Sequence, residues 1–155
     1  MRSLAIDPGR TGAAVLAEPS TGLQLRCIYA CKWSPRRNGG YTVRTHKGGS
    51  ETADDLYHVS RLISLEAKEF DVLVVEGLFA PPLKPGENIE KYRGKVSRQL
   101  TLAQAKGEMM ASLRGRAPVL FEPDARTWRA KVLRCGNKKR RDAERYAIRV
   151  VPTHI

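Results

Sequence analysis

The sequence LAIDPGRTGAAVLA at residues 4–17 contains two short apolar runs separated by a turn. Each run is long enough for a strand, and the Pro8-Gly9 step between them favours a tight reversal of the chain. The stretch therefore predicts an antiparallel hairpin, with Asp7 at the very end of its first strand. Residues 23–30 alternate apolar and polar side chains and predict a third antiparallel strand.

A second apolar run, VLVV at residues 72–75, is continuous and largely β-branched. Such a run is typical of a strand buried on both faces of a parallel sheet, and Glu76 ends it. A capping-box pattern, TADD at residues 52–55, is followed by apolar residues at helical spacing. Together they predict a helix over 56–70. A further helix is expected over 97–114, and a short strand over 118–121.

Two segments rich in Gly, Pro and basic residues, 33–49 and 80–97, are expected to be loops. Helices are expected at 124–133 and 138–151. The fold class predicted from this order is α/β: a mixed sheet with three antiparallel strands at its start and parallel strands after them, flanked by helices. One domain spanning 1–155 is expected.

The chain has 155 residues and a formal net charge of +12. This length suits one domain and is too short for the two-lobed ATPase folds. An excess of positive charge is typical of a protein that binds a polyanion, so nucleic acid is the expected partner. No membrane span or signal peptide is predicted. Three cysteines without CxxC spacing and three scattered histidines support neither disulfides nor zinc, which favours a cytoplasmic location.

Asp7 and Glu76 are the residues expected to carry chemistry. The carboxyl ends of parallel strands are where ligands bind in α/β sheets, and two carboxylates that converge there need a shared proton or a cation. Oxygen ligands suit Mg²⁺ or Mn²⁺, and two such ions can stabilise the attacking and leaving oxygens in phosphodiester cleavage. The plainer interpretation is that Asp7 only initiates a turn and Glu76 only ends a strand.

The motif at Asp7, Gly9 and Thr11 also fits the phosphate loop of actin-like and sugar-kinase ATPases. Because the chain is short and has no second copy of the motif, this alternative is disfavoured, and no nucleotide cofactor is expected.

Three segments resemble the RuvC family of Holliday-junction resolvases: IDPGRTG at 6–12, VVEGLF at 74–79 and LAQAKG at 102–107. The match extends over almost the whole chain, including VLFEP at 119–123 and GNKK at 136–139. The resemblance implies a ribonuclease-H-like fold and a homodimeric, Mg²⁺-dependent endonuclease that nicks two strands of a four-way junction symmetrically.

The resemblance also assigns roles to individual residues. Asp7 would be the central metal ligand, Glu76 its partner, and Phe79 the aromatic side chain that stacks on an unpaired base. A stripe with Ala103 and Gly107 would lie at the dimer interface, or else pack on its own sheet. Further expected DNA contacts, chosen for charge and loop position, are Lys84, Lys91, Arg93, Lys95, Arg36, Arg37, Lys138 and Lys139. Lys106 is expected to be an ordinary surface charge.

The family pattern places one or two further acids on a C-terminal helix. That pattern is an Asp-Ala dipeptide preceded three residues earlier by Asp or His. Asp142 and Ala143 form such a dipeptide here, but Lys139 occupies the earlier position. Either Asp142 supplies the third metal ligand, or the sequence ends at Ile155 before the acidic helix. In the second case the chain should bind junctions better than it cuts them. A non-catalytic branched-DNA-binding protein, and a nuclease for other branched or RNA–DNA substrates, stay open as alternatives.

Overall fold

A seven-stranded mixed sheet and two helices make up the described part of the chain. The structure is a computed structural model, and it describes residues 1–20, 25–79 and 82–124. In chain order the elements are β1 (Ser3–Asp7), β2 (Gly12–Pro19), β3 (Leu25–Pro35), β4 (Tyr41–Thr45), β5 (Ser50–Ala53), α1 (Leu56–Ala67), β6 (Val72–Val75), α2 (Ile89–Met110) and β7 (Val119–Phe121).

The strand order across the sheet is β5-β4-β3-β2-β1-β6-β7. Strands β1 to β5 form an antiparallel meander, whereas β6 pairs parallel with both β1 and β7. This arrangement confirms the predicted α/β class with a mixed sheet. The five antiparallel strands correct the expectation of three.

The expected loop over residues 33–49 is wrong for most of its length, since β3 extends to Pro35 and β4 begins at Tyr41. The glycines of this segment lie in the two turns that flank β4. Gly39, Gly40 and Gly48 all have positive φ, the conformation that glycine adopts most easily. The strand between those turns has polar residues on one face, which hid it in the sequence.

Helix α1 begins after Asp55, whose carboxylate accepts a hydrogen bond from the backbone N–H of His58 at 2.7 Å. The capping-box pattern at residues 52–55 predicts Thr52 as the N-cap, but Thr52 is paired with Thr42 in β5 and Asp55 caps the helix instead.

The opposite end of α1 is held by Arg116, which donates to the carbonyl oxygen of Lys68 at 2.9 Å and to that of Ser64 at 3.2 Å. The guanidinium thus satisfies carbonyls that the helix itself leaves unpaired.

Helix α2 begins at Ile89, eight residues before the expected start, so the segment over 80–97 is not one loop. Its N-cap is Asn88, whose side chain accepts from the N–H of Lys91 at 3.2 Å. Gly94 lowers helix propensity in the first half, and this concealed the true start. The helix ends at Met110 rather than at residue 114, and turns follow it.

One hydrophobic core lies on one face of the sheet, beneath both helices. Its largest fully buried side chains include Trp33, Leu4, Ile63, Leu73 and Met109. No helix among the described residues covers the other face of the sheet, and none of them is long and apolar enough to cross a membrane.

Tyr29 and Cys31 lie in this core, two residues apart on β3. Burial raises the pKa of the Tyr29 hydroxyl, and the neighbouring Cys31 adds to the rise. Burial also raises the pKa of the Cys31 thiol. Both groups are therefore held in their neutral forms in the folded protein.

Candidate metal and nucleic-acid site

Asp7 and Glu76 lie at the carboxyl ends of neighbouring parallel strands. The β1–β6 ladder pairs Ile6 with Val75, and Asp7 and Glu76 are the next residue on each strand. Adjacent strands are about 4.8 Å apart, so the two acids occupy one corner of the sheet, as the sequence predicts. Ile6 and Val75 are buried in the core. Side chains alternate along a strand, so Asp7 at the end of β1 belongs to the face that no described helix covers, and Glu76 would continue the same alternation beyond β6.

The Asp7 side chain is exposed and Glu76 is partly buried. Within the described residues the Asp7 carboxylate has no hydrogen-bond or ion-pair partner, although the chain carries a net charge of +12. An uncompensated carboxylate beside a second one favours a cation or a shared proton. The corner therefore has the donor chemistry of a Mg²⁺ or Mn²⁺ site.

The turn after Asp7 is anchored to the core by Trp33. Its indole Nε1 donates a hydrogen bond to the carbonyl oxygen of Gly9 at 3.0 Å. Trp33 also packs against Gly12, where an added Cβ would lie 2.2 Å from the ring atom Cζ2 and 2.2 Å from the carbonyl oxygen of Asp7. Only glycine fits at this position, because any side chain would collide with both atoms.

Lys106 holds the end of β6 from the core side. Its Nζ donates a hydrogen bond to the backbone carbonyl of Glu76 at 3.2 Å and forms an ion pair with the Glu122 carboxylate. The Lys106 side chain is only 13% exposed, against 46% for Glu122. The expectation of an ordinary surface charge is therefore wrong, because α2 turns this residue toward the ends of the parallel strands.

Glu122 and Asp124 were not expected near this corner. The β6–β7 ladder pairs Val74 with Phe121, and Gly77 and Asp124 form a further parallel bridge. Glu122 immediately follows the three-residue strand β7. A three-residue strand is hard to recognise in a sequence. The acid directly after it indicates a further carboxylate at the same edge of the sheet, and sequence reasoning missed it.

A complete ligand set is not found in the part of the chain that the structure describes. It contains no group of three or more His, Cys, Asp or Glu side chains placed to hold a metal ion. Asp142, the expected third ligand, lies outside the described residues, as do Lys138, Lys139 and both expected C-terminal helices.

Phe79 follows Glu76 by three residues and is 43% exposed. Phe79 is therefore not one of the buried core residues. An aromatic ring with this much exposure, beside a pair of acids, has a face on which a base could stack.

The basic residues expected near α2 differ in their pairing. Lys95 forms an ion pair with Glu87 and lowers the pKa of that carboxyl, and Arg93 lies 3.5 Å from Glu90. Lys91 is exposed on the first turn of the helix. Lys84 is exposed just before that helix; its backbone N–H donates to the Glu87 carboxylate at 3.4 Å, and its charge helps to lower the pKa of that carboxyl.

Arg36 and Arg37 are exposed at the turn between β3 and β4. The backbone N–H of Arg36 donates to the carbonyl of Gly40 at 3.0 Å, which closes the turn. The two guanidinium groups are therefore displayed at the end of a hairpin rather than within a long loop.

The stripe with Ala103 and Gly107 is exposed on α2, and no described atom lies within 4 Å of a Cβ built on Gly107. Within the described part of the chain, this stripe does not pack on the sheet.

Comparisons with protein-family models and with curated proteins gave no match.

Proposed function

We propose that the chain is a metal-dependent, structure-specific endonuclease of the RuvC type, with a ribonuclease-H-like fold, that nicks four-way DNA junctions. The observation that carries the proposal is the pair formed by Asp7 and Glu76. They end two neighbouring parallel strands on the open face of the sheet, and Asp7 lacks a cationic partner in the described residues. The net charge of +12 supports a polyanionic substrate.

In this proposal Asp7 and Glu76 would hold the ion. Bound Mg²⁺ would supply an activated water and neutralise charge on the phosphoryl oxygens. Two carboxylates satisfy Mg²⁺ only together with substrate phosphates, since the ion prefers six oxygens in octahedral order. We therefore expect metal and DNA to bind cooperatively.

The proposed enzyme is a homodimer, because two opposed nicks need two sites related by a twofold axis. The exposed stripe at Ala103 and Gly107 supports α2 as the contact between copies. Small residues permit close approach of two helices, and the exposed Leu100 on the same helix adds apolar surface.

The test is cleavage of a labelled four-way junction, compared with a linear duplex of the same sequence, in Mg²⁺, in Mn²⁺ and in excess EDTA. Paired nicks in the junction, dependent on the metal and absent from the duplex, are the expected result. A panel that adds flaps, replication forks and RNA–DNA hybrids separates junction resolution from a related nuclease activity.

A non-catalytic branched-DNA-binding protein is the second candidate. It is favoured by the lack of a third ligand beside Asp7 and Glu76 among the described residues. Junction binding without any nick in either metal would select this candidate.

A further inference from the structure

Lys32 and Arg44 form a like-charge pair on the antiparallel half of the sheet. They are direct register partners on β3 and β4, and both are exposed. Like charges placed directly opposite each other on two strands are destabilising. Neither side chain has a hydrogen-bond or ion-pair partner within the described residues.

Among the described residues, no acid is a ladder partner of Lys32 or Arg44. Arg44 is paired across β5 with Ser50, whereas Glu51 is opposite the buried Val43 and so belongs to the core face. Lys32 has Ala13 as its partner on β2. The sheet thus presents two adjacent cations with only small or hydroxyl neighbours across the ladders.

The register connects this pair to the acidic corner. Asp7 pairs with Ala13, Ala13 pairs with Lys32, and Lys32 pairs with Arg44. A single row therefore crosses the open face from the two acids to the two cations. Within the described residues, the side chain that separates Asp7 from Lys32 along this row is the methyl group of Ala13, so no large side chain of the sheet stands between them.

The spacing of the row suits a nucleic-acid backbone. With strands about 4.8 Å apart, Lys32 lies ~10 Å and Arg44 ~14 Å from Asp7 along the row. In B-form DNA one strand rises about 3.4 Å per nucleotide, so the cations lie about three to four nucleotides from the acidic corner.

We propose that Lys32 and Arg44 bind backbone phosphates of the same DNA strand that is cut at Asp7 and Glu76. The DNA strand then crosses the antiparallel half of the sheet perpendicular to the β-strands. The inference rests on the proposed function for the position of the cut. The occupant is a nucleic acid rather than an acidic polypeptide, because the row begins at the proposed metal site, where a bound divalent cation would attract a backbone phosphate into line with the two cations.

The test compares four proteins, each of 155 residues: wild type, K32Q/R44Q, the charge-conserving K32R/R44K and the matched control R61Q/R114Q. Arg61 and Arg114 are exposed on α1 and just after α2, on the helical side of the sheet, so the control removes the same charge elsewhere. Affinity for a labelled four-way junction is measured from 50 to 300 mM salt. Thermal unfolding checks that all four proteins fold.

K32Q/R44Q should reduce the slope of log affinity against log salt by about 1.4 to 1.8, because each phosphate contact contributes about 0.7 to 0.9. The charge-conserving variant K32R/R44K should keep the wild-type slope, and R61Q/R114Q should leave it unchanged. An unchanged slope in K32Q/R44Q, or an equal decrease in the control, overturns the inference. So does competition by poly-glutamate as effective as that by DNA of equal charge.

Nicking by the same proteins separates this inference from the proposed function. A wild type whose affinity depends on Lys32 and Arg44, but which cuts in neither metal, supports the phosphate row and overturns the endonuclease. If the wild type cuts junctions and K32Q/R44Q binds like the control, the phosphate contacts of Lys32 and Arg44 are overturned and the proposed endonuclease is retained.

Discussion

The Nζ atom of Lys106 donates a hydrogen bond to the backbone carbonyl of Glu76 at 3.2 Å, and its ion pair with Glu122 brings the end of β7 to the same point. One cation on α2 thus joins the ends of two parallel strands beneath the acidic corner. Because the contact is to the main chain of Glu76, its carboxylate is left to other partners.

Replacing Lys106 should test this link. Lys106→Met is expected to lower the free energy of unfolding by about 1–2 kcal/mol, since the lost bonds involve a charged group but Glu122 stays partly hydrated. Lys91→Met on the exposed start of the same helix is the matched control and should change stability by less than about 0.5 kcal/mol. Urea denaturation measures both values. Equal losses in the two variants would contradict the assigned contacts.

Asp7→Asn and Glu76→Gln should each reduce junction cleavage by about a thousand-fold, because several kcal/mol of metal-dependent transition-state stabilisation correspond to about three factors of ten in rate. Both changes conserve shape, so junction affinity without metal should stay within a few-fold of wild type. Single-turnover nicking and gel-shift titration measure the two quantities. Glu90→Gln, an exposed acid on α2, is the control that should cut normally. A parallel loss of binding and cutting would mark Asp7 and Glu76 as structural.

Phe79→Ala should weaken binding to a junction with unpaired central bases by about 1–3 kcal/mol, the range for loss of one base–aromatic stack. Binding to a linear duplex should not change, since its bases are already stacked. Phe79→Trp should retain the junction affinity. Fluorescence of 2-aminopurine at the junction centre reports unstacking directly. An equal effect of Phe79→Ala on junction and duplex would exclude the stacking role.

Gly12→Ala should destabilise the fold by about 3 kcal/mol, the upper end for overpacking in a tight core, because the new methyl would meet Trp33 and the Asp7 carbonyl. Gly94→Ala is the contrasting variant. It introduces the same methyl into open space on a helix and should stabilise by roughly 0.5–1 kcal/mol. Thermal denaturation should show a lower melting temperature for Gly12→Ala and a higher one for the contrasting variant. A neutral Gly12→Ala would refute the close approach of Trp33.

The buried Tyr29 and Cys31 predict a loss of stability at alkaline pH. Their folded-state pKa values are raised, so the unfolded chain releases protons first as the pH rises. The stabilisation is complete below the unfolded thiol pKa of about 8.5 and decreases above it, with a further decrease beyond the unfolded phenol pKa of about 10. Urea unfolding from pH 7 to 11 measures the trend. Tyr29→Phe should reduce the decrease in unfolding free energy above pH 10. An identical profile in that variant would contradict a contribution from Tyr29.

The elements that the sequence predicts well are those whose apolar pattern is local. The β1–β2 hairpin and β6 each contain an apolar run, and Asp7 and Glu76 follow directly because they end those runs. Strand β5 could not be found in this way. Its residues Ser50–Ala53 are mostly polar and exposed, so it is defined by pairing with β4 rather than by its own side chains.

Lys106 shows a second limit of sequence reasoning. Its helix was expected, but whether it faces solvent or the strand ends depends on how α2 packs against α1 and the sheet. The expected loop over 80–97 failed for a related reason. Asn88 caps a helix that Gly94 disfavours locally, and tertiary packing of Ala105 and Met109 compensates for the poor start.

The parallel pairing of β1 with β6 has a consequence for the order in which the protein folds. Strands β1 to β5 are consecutive along the chain and can zip together through short turns, whereas β6 reaches β1 only across a long intervening segment; Arg2 and Asp71, bonded at the start of this ladder, are 69 residues apart. Closing so large a loop is slow compared with forming hairpins. The two acids therefore come together late, after the meander and α1 are in place, and a nascent chain that has folded only its first half carries Asp7 without its partner.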